Sequence, residues 1–147
     1  MKPKRILVPV DFSEGARSAL HMARGIAAES GALLILLHVG HVQINTSDLM
    51  MTSVSAELIV DLSTKVAAAQ MQHLERWAAE ELPEVMERSL HVREGAAWEQ
   101  ILEQAQESDC DLIVMGTHGR TGLAHAFMGS VTERVIQRAT VPVLVTR

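Results

Sequence analysis

The residues best suited to chemistry lie in one stretch. It runs Gly116-Thr117-His118-Gly119-Arg120-Thr121-Gly122, continues through Leu123 to Met128, and closes with Gly129-Ser130. Four of the nine glycines in the chain fall here: Gly116, Gly119, Gly122 and Gly129. Glycine lets backbone N–H groups approach a ligand closely and admits positive φ. Gly129-Ser130 is placed to open a helix, where unpaired N–H groups and the helix dipole favour negative charge; Ser130 adds a hydroxyl donor. Between Thr117 and Thr132 there is no Asp or Glu, and Arg120, His118 and His125 are the ionisable groups. The chemistry that suits this set is anion binding, with phosphate foremost. A glycine-rich turn that simply joins a strand to a helix would use the same residues. The spacing is not that of a Walker A loop, because no Lys follows a glycine at the required distance. Nor is it the dinucleotide pattern G-x-G-x-x-G, which also belongs after the first strand.

A second constellation is Pro9-Val10-Asp11-Phe12-Ser13. In open α/β sheets, ligands bind beyond the carboxyl ends of the strands, where the strand order reverses. If the first and fourth strands are neighbours, Asp11 and Gly116 line one crevice. Asp11 would then accept hydrogen bonds from a ribose or base, or help to hold a metal ion. Its simpler role is to form the turn and complement the following helix N-terminus.

The elements that must position these residues alternate along the chain. Ile6-Leu7-Val8-Pro9-Val10 is a short apolar run that suits a strand buried on both faces. Ser13 is a good N-cap for a helix to about Ser30, with Ala16, Ala19, Leu20, Ala23, Ile26 and Ala27 at helical spacing. Gly31 is the expected stop. Leu33 to Val39 reads as a second buried strand. The segment 40–55 has no clear period and is expected to be a loop. A long helix is expected over 56–82, with Leu58, Leu62, Val66, Ala69 and Trp77 on its apolar side. A more polar third strand over 86–93 belongs nearer a sheet edge. A helix over 97–108 turns Trp98, Ile101, Leu102 and Ala105 inward. Leu112-Ile113-Val114-Met115 is the fourth strand. A last helix starts near Gly129, and Val141-Pro142-Val143-Leu144-Val145 is the fifth strand, with Pro142 at its start or at an edge. This alternation predicts a single α/β domain over 1–147: an open parallel sheet with helices on both faces.

Composition excludes several classes. Hydrophobic residues make up 48% of the 147 and charged residues 21%, with a formal net charge of −5. A nucleic-acid binder is expected to carry a basic face. The only Lys/Arg cluster here is Lys2, Lys4 and Arg5, at the chain start. No membrane span and no leader peptide are expected. The lone Cys110 cannot form an internal disulfide, which fits a reducing, cytoplasmic setting. Asp109 and Asp111 flank it and disfavour a thiolate, so Cys110 reads as a packing residue. His38, His41 and His118 show no recognised metal-ligand spacing. Met50, Met51 and Met71 suit either an adaptable surface or gap-filling in a core. Aromatic residues make up only 3%, with no tyrosine, so the core must be aliphatic.

The whole chain resembles a single-domain universal stress protein of the UspA family. The resemblance rests on four blocks: Lys4 to Ser13, Asp109 to Arg120, Gly129 to Val135, and Val141 to Val145. It implies a Rossmann-like fold of the adenine nucleotide alpha hydrolase-like type, five parallel strands in the order 3-2-1-4-5. Members of that family that bind ATP carry G-x2-G-x9-G-[S/T], and Gly116, Gly119, Gly129 and Ser130 match it in full. The resemblance implies that Gly116, Thr117, His118, Gly119 and Arg120, with the backbone of Gly129, Ser130 and Val131, hold phosphates and ribose. Pro9, Val10, Asp11, Val39 and Met115 would surround adenine and ribose, and Mg²⁺ would accompany the phosphates. It implies a homodimer through the strand 141–145. Many relatives carry basic residues after the position of Gly122, whereas Leu123-Ala124-His125-Ala126 offers one histidine. Three roles follow as alternatives: a nucleotide-responsive regulatory module, a slow ATPase using Asp11, His118 or Arg120, or a nucleotide-free interaction protein.

Overall fold

The computed structural model describes residues 2–40, 55–117 and 128–147. Among the described residues, five strands and four helices alternate: β1 (Arg5–Pro9), α1 (Glu14–Ser30), β2 (Leu33–Gly40), α2 (Ala56–Glu81), β3 (Arg88–Glu94), α3 (Ala97–Glu107), β4 (Leu112–Gly116), α4 (Ser130–Arg138) and β5 (Val143–Thr146). The strands form one parallel sheet in the order β3-β2-β1-β4-β5. Both the alternation and the expected strand order are found. The chain builds outward from β1 to β3, then crosses back to β4. The order therefore reverses between β1 and β4.

Side chains alternate across the sheet because successive strand residues point to opposite faces. Leu7 lies opposite Ile35 on one side and Ile113 on the other. These three pack with Leu37, Met115, Ile101, Ala105 and Val135, so α3 and α4 cover that face. Ile6, Val8, Val10, Leu34, Leu36 and Val114 face the other way, onto Ala19, Leu20 and Ala23 of α1 and Leu74, Trp77 and Ala78 of α2. Continuous apolar runs rather than polar alternation are what a doubly covered strand requires.

Helix boundaries follow local chemistry. Ser13 Oγ accepts from Ala16 N at 3.2 Å and caps α1. Gly31 ends α1 with φ 72°, a left-handed conformation that glycine adopts without strain. Ser55 caps α2, its Oγ accepting from Leu58 N. Arg17 and His21 of α1 both reach the Glu81 carboxylate at the end of α2, each at 2.7 Å.

Three expectations need correction. The apolar side of α2 is buried only in its C-terminal half, at Leu74, Trp77 and Ala78. Leu58 and Leu62 are 56% and 55% exposed. A helix of 26 residues is about 39 Å long and a strand of eight about 26 Å, so the first turns of α2 outrun the sheet. The third strand starts at Arg88 rather than residue 86, because Met86 N donates to Pro83 O in a turn. The fifth strand runs Val143–Thr146, since its ladder opens opposite Ile113 and extends to Gly116. Of the loop expected over 40–55, residues 41–54 lie outside the described residues, as do Met50, Met51 and His41.

Candidate nucleotide site

The parallel sheet brings the ends of β1, β2 and β4 to one edge. Pro9 pairs with Leu37, so the same register sets Asp11 level with Val39. Ile6 and Leu7 pair with Leu112 and Ile113, which sets Pro9 level with Met115. Alternation from Leu7 puts Pro9 on the face covered by α3 and α4, where Val39, Met115 and Val131 also pack. Val39, Met115 and Val131 thus form one apolar wall beside the reversal of strand order, with Pro9 set on the same face by alternation.

Val10 departs from that wall. Its side chain is buried on the opposite face, under α1 and α2. Its backbone is occupied as well: N–H donates to Leu37 O at 2.8 Å, and the carbonyl lies 2.7 Å from His38 Nδ1. A carbonyl only accepts, so Nδ1 carries the hydrogen of this bond. The role of His38 was not legible in the sequence. It is a buried histidine that holds the end of β1.

Asp11 makes the turn into α1. Its Oδ1 accepts from Ser13 N at 3.0 Å and from the Ser13 hydroxyl, while Ser13 Oγ caps the helix. Phe12, between them, has φ 65°.

Gly116 ends β4 against the first turn of α1. A Cβ on Gly116 would lie 2.8 Å from Gly15 C and O and 3.0 Å from its Cα. Backbone cannot swing away as a flexible side chain can, so Gly116 is fixed by packing irrespective of any ligand. Thr117 N continues the ladder to Thr146 O at 2.9 Å. Two bonds then tie β4 to α4: Gly129 N donates to Thr117 O at 2.7 Å, and Thr132 Oγ1 donates to Gly116 O at 2.9 Å. The second explains why Thr132 is buried in an otherwise apolar position. A lone buried hydroxyl on the inner side of a helix is the signal that pointed to it.

Helix α4 has no side-chain cap. Its N-cap is Gly129, so among the described residues no side chain caps the N–H groups of its first turn. Ser130 is exposed, Val131 half-buried. His118, Gly119 and Arg120 lie outside the described residues, as do Gly122 and His125.

Other candidate groups sit elsewhere. Cys110 is buried in the core on the α3–α4 face. Burial, reinforced by the Asp111 charge, pushes its thiol up to about 11, so it stays protonated at neutral pH and is unsuited to attack. Among the described residues, no three His, Cys, Asp or Glu side chains are grouped to hold a metal ion. No described helix is long and apolar enough to cross a membrane.

The sequence matches the Universal stress protein family over residues 2–147. It is 34% identical to universal stress protein MJ0531 of Methanocaldococcus jannaschii, over 98% of this chain and 82% of that protein. It is 30% identical to MJ0577 of the same organism, over 98% and 94%. The solved structure of MJ0577 superimposes with a TM-score of 0.76 at 29% identity, covering 99% of this chain and 96% of that one. A universal stress protein solved in complex with cAMP shares the fold at 22% identity and a TM-score of 0.66, covering 100% and 98%. With the strand order, the capped turn after β1 and the glycine spacing in place, the chain belongs to the universal stress protein family.

Proposed function

We propose that this chain binds an adenine nucleotide, ATP by its glycine spacing, in the crevice between the ends of β1 and β4. One observation carries the reading. The uncapped first turn of α4 is tied directly to the end of β4, beside an apolar wall of Val39, Met115 and Val131. Helix N–H groups without side-chain acceptors attract phosphate, and aliphatic side chains cover a purine ring. The cAMP complex supports the reading in that the same fold holds an adenine nucleotide in that protein. Gly116 to Gly119 and Gly129 to Val131 would hold phosphates and ribose, with His118 and Arg120 adding positive charge. Mg²⁺ would screen the phosphates.

The bound nucleotide serves regulation rather than fast turnover. Hydrolysis needs a base or water-orienting group aimed at the attacking water. Asp11, the carboxylate at the end of β1, has Oδ1 bonded to Ser13. The readout would be a contact with a partner, and the partner we favour first is a second copy. β5 is an edge strand, paired with β4 on one side, and a second β5 would complete its other side. The single buried thiol of Cys110 suits a cytoplasmic setting.

Isothermal titration with ATP and ADP tests the binding. Saturable binding in the micromolar range is expected. Absence of binding at millimolar ATP would contradict the proposal and favour a nucleotide-free interaction protein.

A further inference from the structure

Phe12 is one of four Phe and Trp residues in the chain, and it stands in a backbone conformation that costs energy. Its φ is 65°, in the left-handed region that disfavours a residue with a Cβ. A bulky residue persists there only when its surroundings over-determine it. The phenyl ring stacks on His73 of α2, centroids 3.9 Å apart with the planes at 18°. Trp77, one turn further along α2, meets it edge-on at 6.0 Å. His38 of β2 lies 4.7 Å away, its own ring bonded to Val10 O. Two further elements therefore grip one ring. The indole N–H of Trp77 has no hydrogen-bond partner among the described residues, so ring packing rather than polar bonding holds it there.

The cage lies on the α1–α2 face, whereas Val39, Met115 and Val131 pack on the other. Phe12 sits in the turn between β1 and α1. On one side of it in the chain is Asp11, on the other Ser13, and they bond to each other around it. Ser13 caps the first turn of α1, and the backbone of Gly15 in that turn is what Gly116 packs against. We infer that Phe12 is a positioning residue for the nucleotide crevice. Its caged ring holds residues 11–13 in the turn that presents Asp11 and seats α1 against the end of β4. This rests on the nucleotide reading above. It adds that α2 sets the affinity of the crevice from the far face of the sheet, through His73.

The test uses the full chain and two readouts. Phe12→Leu keeps apolar bulk and removes the ring; its ATP affinity should fall about tenfold. Phe12→Gly relieves the backbone and removes the ring; its affinity should fall as well, which a role for strain alone does not predict. His73→Ala leaves residues 11–13 and the crevice residues themselves unaltered, and should weaken ATP about two- to tenfold, the worth of one aromatic pair. His73→Phe keeps the stack and should restore affinity to within about twofold of the parent. Because the two rings act as one unit, the Phe12→Leu/His73→Ala double variant should lose less than the two losses combined. Normal affinity in Phe12→Leu and His73→Ala, or no rescue by His73→Phe, overturns the inference.

The second readout needs no nucleotide. Amide exchange at Ser13 and Ala16 should speed up about tenfold in Phe12→Leu and several-fold in His73→Ala, with global stability in urea changed less. Unchanged exchange at both amides also overturns it. If the parent chain binds no ATP while the exchange result holds, the nucleotide reading fails and the positioning role of Phe12 stands.

Discussion

Helices α1 and α4 both begin beside the reversal of strand order, and their first turns are built differently. The α1 start is closed: Ser13 caps Ala16 N, and Asp11 in turn bonds Ser13. The α4 start is open, with Gly129 in the cap position and no side-chain acceptor. Both helices pack on the same sheet within one chain, so the difference is a choice of residue at the cap and not of fold. A side-chain cap satisfies one of the free donors of the first turn and contributes stability. An uncapped N-terminus keeps its donors and its positive dipole end for a ligand. Capping thus separates a helix start that serves the fold from one that serves binding. The glycine that removes the cap from α4 is the third glycine of the ATP-type spacing.

Substitutions can break this comparison in order of effect. Gly116→Ala drives a Cβ into the backbone where α1 begins, and should cost about 3 kcal/mol in urea unfolding. A loss below about 1 kcal/mol would show that α1 and β4 are not seated together as described. Ser13→Ala removes the α1 cap and a partner of Asp11, and should cost about 1.5 kcal/mol by the same assay. An unchanged midpoint would mean that the α1 start is no more closed than that of α4. Gly129→Asp supplies the missing cap, and φ −62° with ψ 146° admits a side chain there. It should raise stability by about 0.5 kcal/mol and weaken ATP by about tenfold or more, because a carboxylate takes the place of phosphate. Stabilisation without loss of affinity would remove α4 from the site.

Strand positions were legible because buried parallel strands must read as unbroken aliphatic runs, and Leu33 to Val39 or Leu112 to Met115 admit few other readings; their order in the sheet came from the family resemblance alone. The start of α4 was legible for a related reason: glycine followed by serine before a helical pattern is a local signal. The extent of burial along α2 was not. Its apolar spacing continues past the sheet, and periodicity carries no information about where the opposing surface ends. Leu58 and Leu62 consequently read as core and are exposed. Contacts that span the fold were also hidden. His38 bonds a carbonyl 28 residues away, and Phe12 meets His73 and Trp77 of a helix far along the chain. Gly116 read as a phosphate residue, and the structure gives it a packing reason as well. The Asp11 side chain read equally as a ligand group or a turn former, and Ser13 occupies its Oδ1.

One measurement bears most directly on the central claim, that the open start of α4 holds the phosphates while the closed start of α1 does not. Backbone amide resonances of the ¹⁵N-labelled chain are followed as ATP is added. The largest shifts are expected at Ser130, Val131 and Thr117, with smaller ones at Ala16 and Arg17 in the first turn of α1. Shifts concentrated in α1, or none at millimolar ATP, would contradict the account.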